Sequence, residues 1–233
     1  MIRDCAVVFG FNEYAKQIAQ QIHGMYSDFA LYVLNESERA QAKASGFEAE
    51  LFDLSENWKM IEERFDPERI IAFCALDNDA ENIFLTISLR STFEELPIIA
   101  LAQDHESSAK IKSAGANKVM PILQITANVI AEMLEKPTVT EVLHDILYEN
   151  SSLMIAQITV PEGAFLVGKH LHDVDCSTIY DVVILAIVDH EMGATFSFTS
   201  KGHNHHIDPE DILIVVGYEE KIAEFTKALG NKG

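Results

Sequence analysis

The sequence is short of cationic side chains, of cysteine and of long apolar runs. Of 233 residues, 17 are Lys or Arg against 37 Asp or Glu, a formal net charge of −20 at pH 7. Neutralising phosphates needs clustered Lys and Arg, so this balance excludes nucleic acid as a partner. It equally disfavours direct docking on an anionic membrane surface, and it leaves a cation-binding role open. Most of the excess charge reads as a solvated face. Three cysteines, Cys5, Cys74 and Cys176, are too few and too far apart for a disulfide framework or a zinc ribbon. Cys5 and Cys74 fall in apolar strands and read as buried thiols, which points to a reducing compartment, the cytoplasm. The longest apolar run of the second half, Val182 to Val188, has seven residues, whereas a membrane span needs roughly 20. Direct membrane insertion is therefore not expected. Met1 leads almost at once into an apolar strand, with no signal-peptide pattern.

What is present is a core-forming chain, 48% hydrophobic, of a length that suits one large domain or two small ones. Its first 120 residues alternate short apolar runs with helical patterns. Strands are predicted at Cys5–Phe9, Ala30–Leu34, Ala49–Phe52, Arg69–Ala75, Ile98–Leu101 and Lys118–Met120. Helices are predicted at Glu13–Met25, Glu36–Ser45, Trp58–Phe65, Asp79–Thr92 and Glu106–Ser113, with Gly46 and Gly115 as C-terminal stops. Ala15, Ile18, Ala19, Ile22 and Met25 form one stripe of the first helix, and Asp79 is expected to cap the fourth. Strand–helix alternation at this period implies right-handed parallel crossovers and a doubly wound, Rossmann-like α/β sheet.

The pattern changes after Pro121. Helices are predicted at Ile122–Leu134 and Val139–Tyr148, broken at Pro137, with Ile125, Val129, Met133, Val142 and Ile146 as their apolar faces. They follow a completed sheet, so they pack either on their own chain or on a partner; the partner reading leaves fewer exposed apolar stripes. A polar linker, 149–152, precedes strands at Met154–Val160, Val182–Val188, Thr195–Thr199 and Ile212–Val216 and a closing helix at Glu219–Leu229. The expected organisation is a Rossmann-like domain at 1–121, a helix pair at 122–150 and a smaller α+β domain at 151–233.

Gly10-Phe11-Asn12-Glu13-Tyr14-Ala15 sits where a dinucleotide fold carries G-x-G-x-x-G, after a strand and before a helix. Gly10 permits the tight turn and Ala15 the close approach of helix and strand. Asn12 replaces the glycine that exposes bare backbone to a pyrophosphate, and it is expected to accept positive φ and aim its side chain at the ligand. Asn35 ends the second strand, where a nicotinamide fold carries an acid for the ribose hydroxyls. Asp53 and Leu54 after the third strand, and Leu76 and Asp77 after the fourth, lie on the same sheet edge, the edge at which open α/β sheets bind ligands. Asp53 and Asp79 also fit a role as helix caps alone.

Taken in order, several segments resemble an RCK domain (regulator of K⁺ conductance), the TrkA-N plus TrkA-C pair. They are Val7-Val-Phe-Gly10, Leu51-Phe-Asp53, Ala75-Leu-Asp-Asn-Asp-Ala-Glu-Asn82, Ile98-Ile-Ala-Leu-Ala-Gln103 and Lys112-Ser-Ala-Gly-Ala-Asn-Lys-Val-Met-Pro121. In the second half they are Ile158-Thr-Val-Pro-Glu-Gly163, Gly168-Lys-His-Leu171 and Asp208-Pro-Glu-Asp-Ile-Leu-Ile-Val-Val-Gly217. The resemblance implies a non-enzymatic cytoplasmic regulator, at the inner face of the cell membrane, of a potassium channel or a Trk/Ktr-type transporter. It implies a homodimer built on the helix pair, larger rings attached to a membrane pore, and an adenine nucleotide (NAD, ATP or ADP) in the first domain. Asn12 and Asn35 depart from the family pattern, as do Gln103, where relatives often have Arg, and Glu210, where they usually have Gly.

Six of nine histidines follow position 169. His203, His205 and His206 are candidate ligands for a divalent cation, with His190 or Asp208 as a further ligand; the competing reading is an exposed polar loop. Asp208, Glu210 and Asp211 read as a turn, being too few for a calcium loop. Two other functions share these features. One is an NAD(P)-dependent oxidoreductase, which needs a proton donor beside the nicotinamide. The other is a metal-binding protein that uses the His203–His206 loop.

Overall fold

The computed structural model describes residues 4–55, 58–148, 152–190, 196–198 and 206–230. The chain divides into two compact units, 1–131 and 132–233.

The first unit alternates β1 (Cys5–Phe9), α1 (Glu13–Ile22), β2 (Asp28–Val33), α2 (Glu36–Ala44), β3 (Glu50–Leu51), α3 (Lys59–Arg64), β4 (Ile70–Cys74), α4 (Asp79–Thr92), β5 (Ile98–Ala102), α5 (His105–Ser113) and β6 (Lys118–Pro121). All six strands are parallel, in the order β3-β2-β1-β4-β5-β6. This is the expected doubly wound sheet. Every residue of β1 is buried, as a central strand covered on both faces requires.

Helix starts are set by side-chain caps. Asn12, Asn35, Asn78 and Asp104 each accept a backbone N–H from the first turn of α1, α2, α4 and α5. The cap of α4 is thus Asn78, not Asp79; the Asp79 carboxylate instead accepts the Gln103 backbone N–H at 3.1 Å. Helix α1 also ends earlier than predicted. The chain leaves it at Ile22, and Met25 is 76% exposed rather than part of the buried stripe.

One face of the sheet is closed by an aromatic cluster. Trp58 stands at the start of α3 and is 1% exposed. It meets the Phe9 ring edge-on at 5.6 Å and lies 6.1 Å from the Phe52 ring, and its indole N–H donates to the Ser88 hydroxyl at 2.7 Å. Tyr32 stacks on Phe9. Cys74 is fully buried nearby, and burial pushes its thiol up to about 12, so no thiolate is available for chemistry.

After β6 comes α6 (Ile122–Glu135), in which no residue is buried. Leu123, Ile130 and Leu134 are 63%, 53% and 81% exposed. The second unit carries α7 (Pro137–Tyr148), which leaves Val139, Val142 and Leu143 exposed as well. Thus α6 and α7 leave these apolar side chains uncovered on their own chain.

The second unit continues with β7 (Leu153–Thr159), α8 (Cys176–Tyr180), β8 (Val182–Val188), β9 (Phe196–Phe198), β10 (Ile212–Tyr218) and α9 (Glu219–Gly230). The sheet is antiparallel, ordered β7-β10-β8-β9, with α9 packed against it through Ile222, Phe225 and Leu229. The turn before β10 is held by Asp211, a 1% exposed carboxylate that accepts the Asp208 and His190 backbone N–H groups at 2.9 and 3.0 Å. Asp208, Glu210 and Asp211 therefore form a turn. Glu210 takes φ +70, the left-handed backbone that a glycine takes without strain. Among the described residues, no helix is long and apolar enough to cross a membrane.

Candidate functional site

The strand order reverses between β1 and β4, and ligands of open α/β sheets bind outside the strand ends at that point. Here the loops after β1, β2 and β4 enclose a crevice of about 140 Å³. It is lined by Gly10, Phe11 and Asn12, by Leu34, Asn35 and Glu38, and by Leu76, Asp77 and Glu81. Of the residues singled out from the sequence, Gly10, Phe11, Asn12, Asn35, Leu76 and Asp77 are brought together. Four others lie outside the lining. Glu13 is exposed and pairs with Lys16 at 3.9 Å. Ala15 is buried beneath the turn. Asp53 accepts the Ser55 N–H and hydroxyl at 2.8 and 2.7 Å, which holds its carboxyl below the usual range. Leu54 packs on the core.

The glycine turn is shaped by the fold itself. Gly10 has φ +101, and its N–H donates to Tyr32 O at 2.8 Å. A Cβ here would stand 2.6 Å from the Ala75 carbonyl oxygen, so β1 and the β4–α4 loop approach each other only through glycine.

Asn12 corrects the sequence expectation. Its φ is −96, not positive, and its side chain faces the protein. The Oδ1 atom accepts the Ala15 N–H at 2.8 Å and the Nδ2 group donates to Ala75 O at 2.9 Å. The residue caps α1 and pins its first turn to the β4–α4 loop.

Asn35 and Glu38 form a reciprocal capping arrangement. Asn35 Oδ1 accepts the Glu38 N–H at 3.0 Å, and Asn35 Nδ2 donates to Glu38 Oε1 at 2.7 Å; Glu38 Oε2 accepts the Leu34 N–H at 3.3 Å. The carboxylate that β2 lacks at its end is therefore supplied by the first turn of α2. Sequence reasoning missed Glu38 and Glu81. For Glu38 the signal was the Asn-x-x-Glu spacing. Gln103 donates from Nε2 to Asp77 O at 2.9 Å, tying β5 to the β4–α4 loop.

Among the described residues, three carboxylates and no Lys or Arg line the crevice. Small-molecule sites usually offer roughly 300–1,000 Å³, and phosphate sites offer free amides or cations. The residues present do not fit the pyrophosphate of an adenine nucleotide.

The histidines are not assembled into a metal centre among the described residues, where no group of three or more His, Cys, Asp or Glu side chains is placed to hold an ion. His203 and His205 lie outside the described residues. His206 bridges to His170, with the two rings 3.9 Å apart. His190 pairs through Nε2 with Glu210 at 3.1 Å.

Comparison with known proteins names the two units. Residues 6–121 match the TrkA-N domain and residues 155–230 the TrkA-C domain. The chain belongs to the RCK family. Over 154 residues this RCK chain is 26% identical to the probable potassium channel protein 2 of Methanocaldococcus jannaschii, covering 63% of this chain and 43% of that one. Among solved structures, the human SLO3 gating ring matches with a TM-score of 0.68 at 9% identity, over 94% of this chain and 45% of that one. The GsuK channel matches with a TM-score of 0.51 at 18% identity, over 97% of this chain and 38% of that one. These structural likenesses are of fold. The RCK chain spans less than half the length of each of these proteins.

Proposed function

We propose that this RCK chain is a cytoplasmic, non-enzymatic regulatory subunit or domain of a potassium channel or transporter, and that it works as a homodimer or within a larger ring. Residues 122–150 are the dimerisation segment between the two domains. A ligand bound to the first domain favours one relative orientation of subunits, and that rigid-body change pulls on or releases the pore. A single site couples by about 1–3 kcal/mol, so a ring of equivalent sites sharpens the response.

One observation carries the reading. Helices α6 and α7 leave Leu123, Ile130, Leu134, Val139, Val142 and Leu143 in water, and exposed apolar side chains concentrated on two successive helices mark a protein contact. A second copy presents the same side chains, which is the requirement for a two-fold interface. The resemblance to potassium-channel relatives supports the pore as the downstream partner.

The test is potassium flux into vesicles that contain the cognate pore, with the parent chain or with I130D/L143D supplied. Both positions are exposed, so the double substitution is expected to leave the melting temperature of each unit near the parent value. It is expected to abolish the chain's effect on flux. Regulation that matches the parent would refute the proposal.

A further inference from the structure

We infer that the crevice at the end of β1 has become selective against phosphate-bearing ligands, so the regulatory ligand of this chain is uncharged or cationic where a nucleotide would carry its pyrophosphate. The inference rests on the reading of the first domain as the ligand-sensing part, and it names the ligand class.

Three independent features of one small space carry it. The first is the turn. A pyrophosphate on a dinucleotide fold uses bare backbone and the free amides of the helix N-terminus. Here the Ala15 amide is already satisfied by Asn12 Oδ1, and the Asn12 amide group is committed to Ala75 O. The side chain therefore consumes one of the amide donors of the α1 N-terminus. The second is charge. Glu38, Asp77 and Glu81 line the crevice with no facing Lys or Arg among the described residues. Glu13 and Glu36 add further negative charge in the first turns of α1 and α2. A net charge of −20 adds a long-range field of the same sign. The third is room, about 140 Å³.

Repulsion of this kind leaves a signature that steric loss alone does not. Binding to a cationic phosphate cradle weakens as salt is added, whereas salt screens repulsion. Residual nucleotide binding to this chain should therefore strengthen as ionic strength rises.

The experiment is a thermal-melt and calorimetric titration of the parent chain and two variants, D77N/E81Q and N12G/D77N/E81Q, with ATP, ADP, NAD and NADH. Glycine is accepted at a helix cap, but N12G also gives up the Nδ2 bond to Ala75 O; the carboxamides keep the shape of the two acids. The double variant keeps the capping residue and so guards against a triple variant that does not fold. The parent is expected to bind ADP weakly, and more tightly at high than at low salt. D77N/E81Q is expected to bind ADP on the order of tenfold more tightly than the parent, the low end of what a local potential of one sign does to a charged ligand. Adding N12G should increase the gain. A parent whose nucleotide affinity falls as salt is added, or a double variant with no gain, overturns the inference. Neither result touches the regulatory proposal, since the titration contains no pore. Failure of flux control, conversely, leaves this inference standing.

Discussion

Alanine at Gly10 is expected to destabilise the first unit by about 3 kcal/mol or more, the range in which a forbidden backbone and a core clash add. The glycine sits at φ +101, and a methyl group there would meet the Ala75 carbonyl oxygen at 2.6 Å and its carbon at 2.9 Å. Both atoms are backbone. They cannot rotate aside, because the Ala75 N–H is held by Phe9 O at 2.9 Å and the Gly10 N–H by Tyr32 O at 2.8 Å. Relief would require moving the loop after β4 away from β1, at the centre of the sheet. Gly46→Ala is the control: φ is +88, but nothing lies within 4 Å of the added methyl. It should cost only the left-handed penalty, about 1–2 kcal/mol. The difference between the two variants, read from the single tryptophan's fluorescence during denaturant unfolding, isolates the clash. Equal losses would show that the sheet accommodates a side chain at the turn.

Truncating Trp58 to alanine should cost about 3–5 kcal/mol, the usual range for a buried tryptophan. The ring fills the space between Phe9, Phe52 and α3, and its removal leaves a hole that the short α3 cannot close by itself. It also leaves the Ser88 hydroxyl without its indole donor. Trp58→Phe keeps an aromatic ring and should recover more than half of the loss. Circular dichroism during denaturant unfolding, which does not depend on the tryptophan, checks both. A loss below about 1 kcal/mol for the alanine variant would mean that the cluster does not carry the stability of this face.

The sheet was legible because short apolar runs alternate with helical patterns punctuated by Gly10, Gly46 and Gly115, and those patterns have the lengths that crossovers require. The site was legible by position but not by chemistry. Position comes from topology, which the alternation of strands and helices dictates. The chemistry depends on where short side chains turn, and Asn12 has two uses, facing a ligand or capping its own helix, that one sequence position cannot separate. Glu38 escaped notice because it is four residues beyond Leu34, on a helix, and reaches back only once Asn35 is in place. Helix α8 was missed because five residues give no periodicity; its signal was Asp175, whose carboxylate accepts the Thr178 N–H at 3.0 Å and hydroxyl at 2.7 Å. Asp79 and Asn78 are adjacent and both suit a cap, and only the backbone decides between them.

The solution mass of the chain, by sedimentation equilibrium across micromolar concentrations, bears most directly on whether this molecule works through contact between copies. Twice the monomer mass of 26.0 kDa, or a higher multiple, is expected for the parent, with I130D/L143D reduced to the single-chain value. A parent that stays at the single-chain mass throughout that range would leave the exposed leucines and valines of α6 and α7 without the partner on which the account depends.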